Sequence, residues 1–213
     1  MKPKLQIALD VVSIKEAQDI LSLNNLVDEV DIIEAGTVLL AAEGASAPRR
    51  LRETYPTKML VADFKIADAV NTIGWMLFDA GANLITVIAA ADLATVKIAG
   101  QLAKKYNQHI QIELYGRWDF DLAKEWFKGG VDHVIYHHSR DASQAWTVSD
   151  IEKIKGLIGI GFHVSVTGGL KPEDIEMFRG LEIFSFIVGR SLYEAKDPVE
   201  VARAFKQSID ASF

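Results

Sequence analysis

The sequence alternates short apolar segments with longer amphipathic segments from one end to the other, and this alternation restricts the folds open to it. Several of the short segments are apolar at consecutive positions, as expected for strands buried on both faces of a parallel sheet. The longer segments, such as residues 93–106, repeat apolar residues with a period of about 3.6, which predicts helices that pack against the sheet. The predicted strands comprise residues 5–9, 30–35, 58–64, 84–88, 110–114, 133–137, 163–167 and 184–188.

Eight strand–helix units in 213 residues amount to about 27 residues per unit, which is compact for a (β/α)8 barrel, where about 250 residues are typical. We predict an α/β fold of this kind, a TIM barrel that forms a single domain over residues 1–213. A doubly wound open sheet is the alternative architecture. It is disfavoured because the strand count fits closure and no Gly-x-Gly-x-x-Gly motif follows the first strand.

Residues that favour helix N-termini precede three of the predicted helices. Ser13 and Ser149 each stand three residues before a glutamate, which is the spacing of a capping box. Asp197 is followed by Pro198, so an N-cap residue stands next to a first-turn proline. We therefore expect helices to begin directly after Ser13, Ser149 and Asp197.

The composition excludes several kinds of chemistry. Because the chain has no cysteine, it has no thiolate metal sites, cysteine nucleophiles or disulfides, and oxygen and imidazole groups remain as metal ligands.

A formal net charge of −6 gives no general attraction to nucleic-acid backbones or anionic membranes. The apolar runs are too short to cross a bilayer, and the first residues lead into a predicted strand. We expect a cytoplasmic protein with a small-molecule ligand and with neither nucleic-acid nor membrane partners.

Polar residues, most of them ionisable, end most of the predicted strands. In a (β/α)8 barrel, the C-terminal ends of the strands form the mouth where ligands bind. A single polar strand end could be a helix cap or a solvated group, but charges gathered at one mouth need ionic partners, a metal or a ligand. The strand-end residues are Asp10, Glu34, Asp63, Lys65, Glu113, His137, Arg140 and Thr167.

The densest group of charges follows the third predicted strand. Asp63 and Lys65 are two residues apart and would lie on the same side of a strand, and Asp68 follows in the next turn. An exposed ion pair would explain this pattern. At a barrel mouth, however, a lysine held between carboxylates can stabilise negative charge that develops during a reaction. The carboxylates would also keep the ammonium charged, which argues against a Schiff base.

Glycine-containing turns follow the last two predicted strands. Residues 167–170 read Thr-Gly-Gly-Leu, and residues 188–191 read Val-Gly-Arg-Ser. Glycine pairs often form simple turns, yet the loops after strands seven and eight of such barrels frequently bind phosphate. We therefore predict a phosphate site in these turns. Backbone N–H groups and the two-pronged guanidinium of Arg190 would donate hydrogen bonds to the phosphate oxygens.

Glu34 and Asp63 supply hard oxygen ligands on adjacent predicted strands. Such ligands favour Mg2+, although the same carboxylates could simply flank Lys65. His137 closes a largely apolar strand, and Arg140 three residues later supports a position at the mouth for both. We interpret the other histidines as structural or solvent-exposed; they are His109, His133, His138 and His163.

Taken together, these motifs resemble the orotidine 5′-monophosphate decarboxylase superfamily over essentially the whole chain. Within this superfamily, the chain resembles the branch that decarboxylates 3-keto-L-gulonate 6-phosphate, because Glu113, Arg140 and Thr167 occur together in it. The aldolase branch, D-arabino-hex-3-ulose 6-phosphate synthase, is the closest alternative. The resemblance is carried by the Asp63-x-Lys65-x-x-Asp68 pattern and by residues 8–10, 31–34, 62–69, 111–114, 136–142, 167–170 and 189–191.

The resemblance implies a homodimer of (β/α)8 barrels with active sites at the interface, where Asp68 of one subunit completes the site of the other. It also implies that Glu34 and Asp63 bind Mg2+. Loss of CO2 would leave a cis-enediolate stabilised by the metal and by Lys65, and its protonation would give L-xylulose 5-phosphate.

The resemblance assigns roles to the remaining residues of the predicted mouth. Glu113, assisted by Asp68, would orient Lys65. His137 and Arg140 would orient or activate the water that protonates the substrate carbon. The residues in contact with the sugar phosphate would be Asp10, Thr167, Gly168, Gly169, Gly189 and Arg190.

Overall fold

The structure, a computed structural model, describes residues 2–138 and 146–213. Eight parallel strands pair in sequence order and close into a barrel, so the predicted (β/α)8 fold is confirmed. Each predicted strand overlaps an observed one. The strands are β1 (Lys4–Leu9), β2 (Ile32–Ala35), β3 (Met59–Ile66), β4 (Leu84–Ile88), β5 (His109–Glu113), β6 (His133–His137), β7 (His163–Thr167) and β8 (Ile183–Val188).

Helices connect successive strands around the outside of the barrel. The connection after β7 differs, because its described helix is a 3-10 helix, Pro172–Phe178. Another 3-10 helix, Leu23–Glu29, follows the first α-helix. None of the helices within residues 2–138 and 146–213 has the length and apolarity needed to cross a membrane. The α-helices are α1 (Ile14–Ser22), α2 (Thr37–Glu43), α3 (Ser46–Thr54), α4 (Val70–Asp79), α5 (Leu93–Tyr106), α6 (Phe120–Lys128), α7 (Val148–Ile160), α8 (Arg190–Tyr193) and α9 (Pro198–Ser212).

Two of the three predicted helix starts are confirmed, and the third is wrong by two residues. The side chains of Ser13 and Asp197 accept hydrogen bonds from backbone N–H groups in the first turns of α1 and α9. Helix α7, however, begins before Ser149, because Thr147 is its N-cap and forms a capping box with Asp150. Thr147 and Asp150 have the same three-residue spacing as Ser149 and its glutamate, so spacing alone did not distinguish them.

Asp150 ties the start of α7 to β6. Its carboxylate accepts hydrogen bonds from Thr147 N at 2.8 Å, from Thr147 Oγ1 at 2.6 Å and from the Tyr136 hydroxyl at 2.6 Å. His138 Nε2 lies 3.0 Å from the same carboxylate. Burial alone would raise the pKa of Asp150, but the hydrogen bonds from Thr147, Tyr136 and His138 lower it below its usual range. The charged form of Asp150 therefore stabilises the folded state.

We expect Asp150→Asn to lower the free energy of unfolding by about 2 kcal/mol, because an amide loses the charge-assisted bonds and the cap. Thermal unfolding would measure the loss, with Glu152→Gln on the same helix as a control at an exposed position. Because the pKa of Asp150 is lower in the folded state, its contribution is present above about pH 4 and declines below that value. A difference between wild type and variant that stays constant down to about pH 3 would contradict this account.

Alternate residues along each strand point into the barrel or towards the helices. On β5, Ile110 and Ile112 pack in the core between the barrel and the helices. The inward-facing positions instead form a buried polar chain across the barrel: Gln111 Nε2 donates to Ser165 Oγ at 3.2 Å, and Ser185 Oγ bonds Ser165 Oγ at 2.9 Å and Gln6 Oε1 at 3.1 Å. The barrel centre is therefore hydrogen-bonded rather than purely apolar.

Candidate active site

The mouth of the barrel gathers four of the predicted charged residues into one contact network. Lys65 Nζ forms an ion pair with the Asp63 carboxylate and lies 3.0 Å from Glu113 Oε2. Glu113 Oε1 in turn lies 2.7 Å from His137 Nδ1. The inward-facing ends of β3, β5 and β6 therefore bring these side chains together, as the strand-end pattern predicted.

Lys65 reaches this network from a strained backbone. The predicted regular strand would place Asp63 and Lys65 on one side, but the pairing of β3 with β4 shifts register between Ala62 and Ile66, and Lys65 has a φ of +54°. A non-glycine residue in this left-handed region costs about 1 kcal/mol or more. The backbone N–H of Lys65 donates to Thr86 Oγ1 at 2.8 Å and so replaces a strand hydrogen bond. This local irregularity of β3 therefore directs the Lys65 side chain towards Asp63 and Glu113.

Two threonines that the sequence did not single out hold the carboxylate of Asp63. Thr86 Oγ1 donates to Asp63 Oδ1 at 2.8 Å, and Thr37 Oγ1 donates to Asp63 Oδ2 at 2.7 Å. Lys65 Nζ also donates to Thr37 Oγ1 at 2.7 Å. A signal for Thr86 was present, because it is the polar residue of the apolar strand β4 and faces inward.

The electrostatics of the network keep Lys65 charged. Burial alone would lower its pKa, but the charges of Asp63 and Glu113 outweigh burial and raise the pKa of Lys65 above its usual range. Burial would also raise the pKa of Asp63, yet the ammonium and the hydrogen bonds from Lys65, Thr37 and Thr86 lower it. The lysine and Asp63 therefore form a stable pair of opposite charges.

The negative charge at the mouth exceeds what one ammonium can balance. Glu34, Asp63 and Glu113 are all buried there. Burial and then the charge of Asp63 raise the pKa of Glu34 well above its usual range, and burial raises that of Glu113. A divalent cation between carboxylate oxygens would offset this excess, and hard oxygen ligands suit Mg2+. Glu34 and Asp63 thus fit the metal that the superfamily resemblance implies.

Both ring nitrogens of His137 have partners. Nδ1 contacts Glu113, and Nε2 lies 3.0 Å from the Tyr115 hydroxyl. The two rings also pack against each other, with centroids 4.5 Å apart. Tyr115 was not predicted as a site residue, although it stands two residues beyond Glu113, at the end of β5. It fixes the orientation of the imidazole at the mouth.

The two predicted phosphate turns line one cavity of about 180 Å³. Gly168 has a φ of +114°, and a Cβ there would lie 2.4 Å from His138, so the turn after β7 requires glycine. Thr167 Oγ1 donates to Ile187 O at 3.1 Å and links the ends of β7 and β8. The lining residues are His137, Thr167, Gly168, Gly169, Leu170, Ile187, Val188, Gly189, Arg190 and Ser191.

The other predicted site residues have different positions. Asp10 is partly buried at the end of β1, where its Oδ1 accepts a hydrogen bond from Val38 N at 3.4 Å. Asp68 is exposed and accepts a hydrogen bond from Ala69 N at 2.7 Å. Within the described part of the chain it forms no ion pair with Lys65. Arg140 lies outside the described residues.

Comparison with known proteins agrees with this architecture. The family model described as "Orotidine 5'-phosphate decarboxylase / HUMPS family" matches residues 3–205. A relative from Salmonella paratyphi B, named 3-keto-L-gulonate-6-phosphate decarboxylase UlaD, is 47% identical over 210 residues, which are 97% of this chain and 96% of the relative.

Solved structures extend the likeness to three dimensions. A crystal structure of KGPDC from Streptococcus mutans is 41% identical, covers 100% of both chains and has a TM-score of 0.95. The 3-hexulose-6-phosphate synthase from Salmonella typhimurium is 29% identical, covers 99% of this chain and 100% of that chain, and has a TM-score of 0.89. The chain belongs to the orotidine 5′-phosphate decarboxylase / HUMPS family.

Proposed function

We propose that this protein is a Mg2+-dependent carboxy-lyase that converts 3-keto-L-gulonate 6-phosphate into L-xylulose 5-phosphate and CO2. One observation carries the proposal: His137 contacts Glu113, the partner of Lys65, and also lines the glycine-rich cavity after β7 and β8. A charge-stabilising group and an anion pocket therefore share one mouth, as a phosphorylated β-keto acid requires. The name of the 47% identical relative supports this choice of substrate.

The cavity after β7 and β8 holds the substrate phosphate. Backbone N–H groups of Gly168, Gly169 and Gly189 approach its oxygens without obstruction by a Cβ, and the Arg190 guanidinium neutralises its charge. Asp10 and Thr167 bind sugar oxygens between this cavity and the lysine. The phosphate thus fixes the reacting end of the sugar beside Lys65, which reduces the entropic cost of reaching the transition state.

The chemical step breaks the bond between the carboxylate carbon and its neighbour. CO2 leaves, and the bonding electron pair moves to the adjacent ketone oxygen, which gives a cis-enediolate. The Lys65 ammonium stabilises the negative charge as it develops, in a site largely shielded from water. Mg2+ held by Glu34 and Asp63 would supply further neutralisation of that charge as a Lewis acid.

Protonation of the enediolate carbon completes the reaction. Water oriented by His137 and Arg140 donates one proton to this carbon and leaves as hydroxide, and the product is L-xylulose 5-phosphate. Glu113 holds Nδ1 of His137, and the Tyr115 hydroxyl contacts Nε2, so the ring acts on the water through this hydroxyl. Each CO2 lost is thus balanced by one proton gained.

The direct test measures CO2 release from 3-keto-L-gulonate 6-phosphate and identifies the product by NMR spectroscopy. We expect stoichiometric formation of CO2 and L-xylulose 5-phosphate. The same preparation is assayed with formaldehyde and ribulose 5-phosphate. If a hexulose phosphate forms there and no CO2 is released from the keto acid, the protein is a synthase and the proposed decarboxylation is wrong.

The active protein is a homodimer in which Asp68 of each subunit completes the mouth of the other. Exposed Asp68 is flanked in sequence by exposed apolar side chains, Phe64 on one side and Trp75 and Met76 of α4 on the other. Large exposed apolar residues mark surfaces that associate with other chains. A second copy of this chain would bury them and bring its own carboxylate to Lys65.

Mixing two inactive variants tests the shared site. Asp68→Asn and Lys65→Ala are each expected to lose nearly all activity, because each lacks one component of every mouth. In a mixed dimer, one of the two mouths contains both intact residues. Equimolar mixing with subunit exchange should therefore restore about one quarter of the wild-type activity. If size-exclusion chromatography shows a monomer, or if exchanged mixtures stay inactive, the shared site is refuted.

A further inference from the structure

A second group of potential ligand atoms lies at the end of the barrel opposite the mouth. His109 and His133 are the first residues of β5 and β6, whose last residues are Glu113 and His137. Four strand steps separate the two ends by about 13 Å. Whatever this group binds is therefore distinct from the proposed active site and independent of the proposed function.

We propose that His109, Asp132 and His133 bind a divalent transition-metal ion of the Zn2+ class. His109 Nδ1 lies 3.3 Å from both carboxylate oxygens of Asp132, and His133 Nε2 lies 4.0 Å from Asp132 Oδ1. One ligand atom of each residue lies within 4.8 Å of the others. Ligands of a tetrahedral Zn2+ ion are about 3.3 Å apart, so small movements of the partly exposed side chains of His109 and Asp132 close the site.

Among the described residues, His133 has one ring nitrogen without a partner. Its side chain is buried, and its Nδ1 has no hydrogen-bond partner in the described part of the chain. The nitrogen nearest Asp132 is Nε2, so Nε2 is the atom that would bind the ion, and the unpaired Nδ1 would need a partner other than the ion.

A groove of about 600 Å³ gives an ion access to the site. His109 and Asp132 form part of its lining. Three protein ligands leave a fourth position, which water from the groove can occupy. The lysines that line the groove, Lys97, Lys104 and Lys128, are exposed, and the charge of Lys128 is paired with Glu125 at 2.7 Å. Two imidazoles and one carboxylate select Zn2+, Co2+, Ni2+ or Cu2+ over Mg2+, so excess Mg2+ would not compete at this site.

The test titrates the full-length protein with Co2+ in the presence of excess Mg2+, which saturates the hard oxygen ligands at the mouth. Visible absorption reports tetrahedral Co2+, and calorimetry gives stoichiometry and affinity. The matched variants are His109→Gln and His163→Gln. The ring of His163 lies 4.7 Å from that of His133, but it is outside the ligand group. Thermal unfolding without metal confirms that both variants fold.

We expect one tetrahedral Co2+ per chain in the wild type and in His163→Gln, and an affinity at least about 10-fold lower in His109→Gln. Asp132→Asn provides a second ligand variant with the same expected loss. Saturating Zn2+ should also raise the unfolding temperature of the wild type but not of His109→Gln. Equal Co2+ affinity in wild type and His109→Gln, or only octahedral Co2+ spectra, would overturn the proposal.

Discussion

Lys65→Ala is expected to lower the rate of CO2 release by about 10³-fold, because the substitution removes the cation closest to the developing enediolate charge. The residual activity would come from the remaining charge stabilisation and from phosphate binding. Steady-state kinetics should show the loss mainly in kcat, since the phosphate cavity after β7 and β8 is unchanged. A variant that retains wild-type kcat would remove Lys65 from the mechanism.

The same substitution affects stability, and this effect must be separated from catalysis. Lys65 is the cation that pairs with Asp63 and Glu113, and its loss leaves buried carboxylates uncompensated. Removing one partner of a buried pair costs about 3–5 kcal/mol. We expect the double variant Lys65→Ala/Glu113→Gln to recover part of the unfolding temperature and none of the activity. Recovery of both would show that Lys65→Ala loses activity through unfolding alone.

Removal of Mg2+ is expected to abolish turnover, and Glu34→Gln should raise the Mg2+ concentration needed for half-maximal activity by about 100-fold. The amide keeps the shape of the side chain and can still contact Gln6, so high Mg2+ concentrations should restore part of the activity. Activity measured against Mg2+ concentration after treatment with a chelator gives both results. Undiminished turnover in chelator would contradict the metal assignment.

Glu34→Gln also has an expected effect on the protein without metal. The pKa of Glu34 is raised because its charge is buried beside that of Asp63. A neutral side chain removes this repulsion, so the metal-free variant should unfold at a higher temperature than the metal-free wild type. Calorimetry with and without Mg2+ would measure the difference. A lower unfolding temperature for the metal-free variant would instead assign Glu34 a structural role.

The barrel and much of its mouth could be predicted because they follow from periodicity. Strands such as β4 and helices such as α5 have the bounds that their apolar patterns predicted. Strand ends define the mouth, so Glu113 and His137 could be placed there without coordinates. The same alternation makes His109 and His133 face inward at the end of the barrel opposite the mouth. From the sequence, these histidines were interpreted as structural or solvent-exposed. Periodicity predicts which way these histidines face, but not the metal ion that we propose they bind.

The remaining features depend on tertiary contacts that no local pattern encodes. The left-handed conformation of Lys65 arises from a register shift between two strands, and Thr86 stabilises it from a neighbouring strand. Thr37 and Tyr115 acquire their roles only when the strands close. The start of α7 was misplaced because Asp150 also bonds Tyr136, a long-range contact that favours Thr147 as the cap.

The polar chain inside the barrel constrains any redesign of this protein for heat tolerance. Gln6, one member of that chain, donates through Nε2 to Glu34 Oε2 at 2.5 Å. Ser185 holds the other end of the same amide. An engineer who fills the centre with aliphatic side chains would gain packing but release the amide that aims Glu34. Thermostabilising libraries should therefore leave positions 6 and 185 unchanged and vary the outer helices instead.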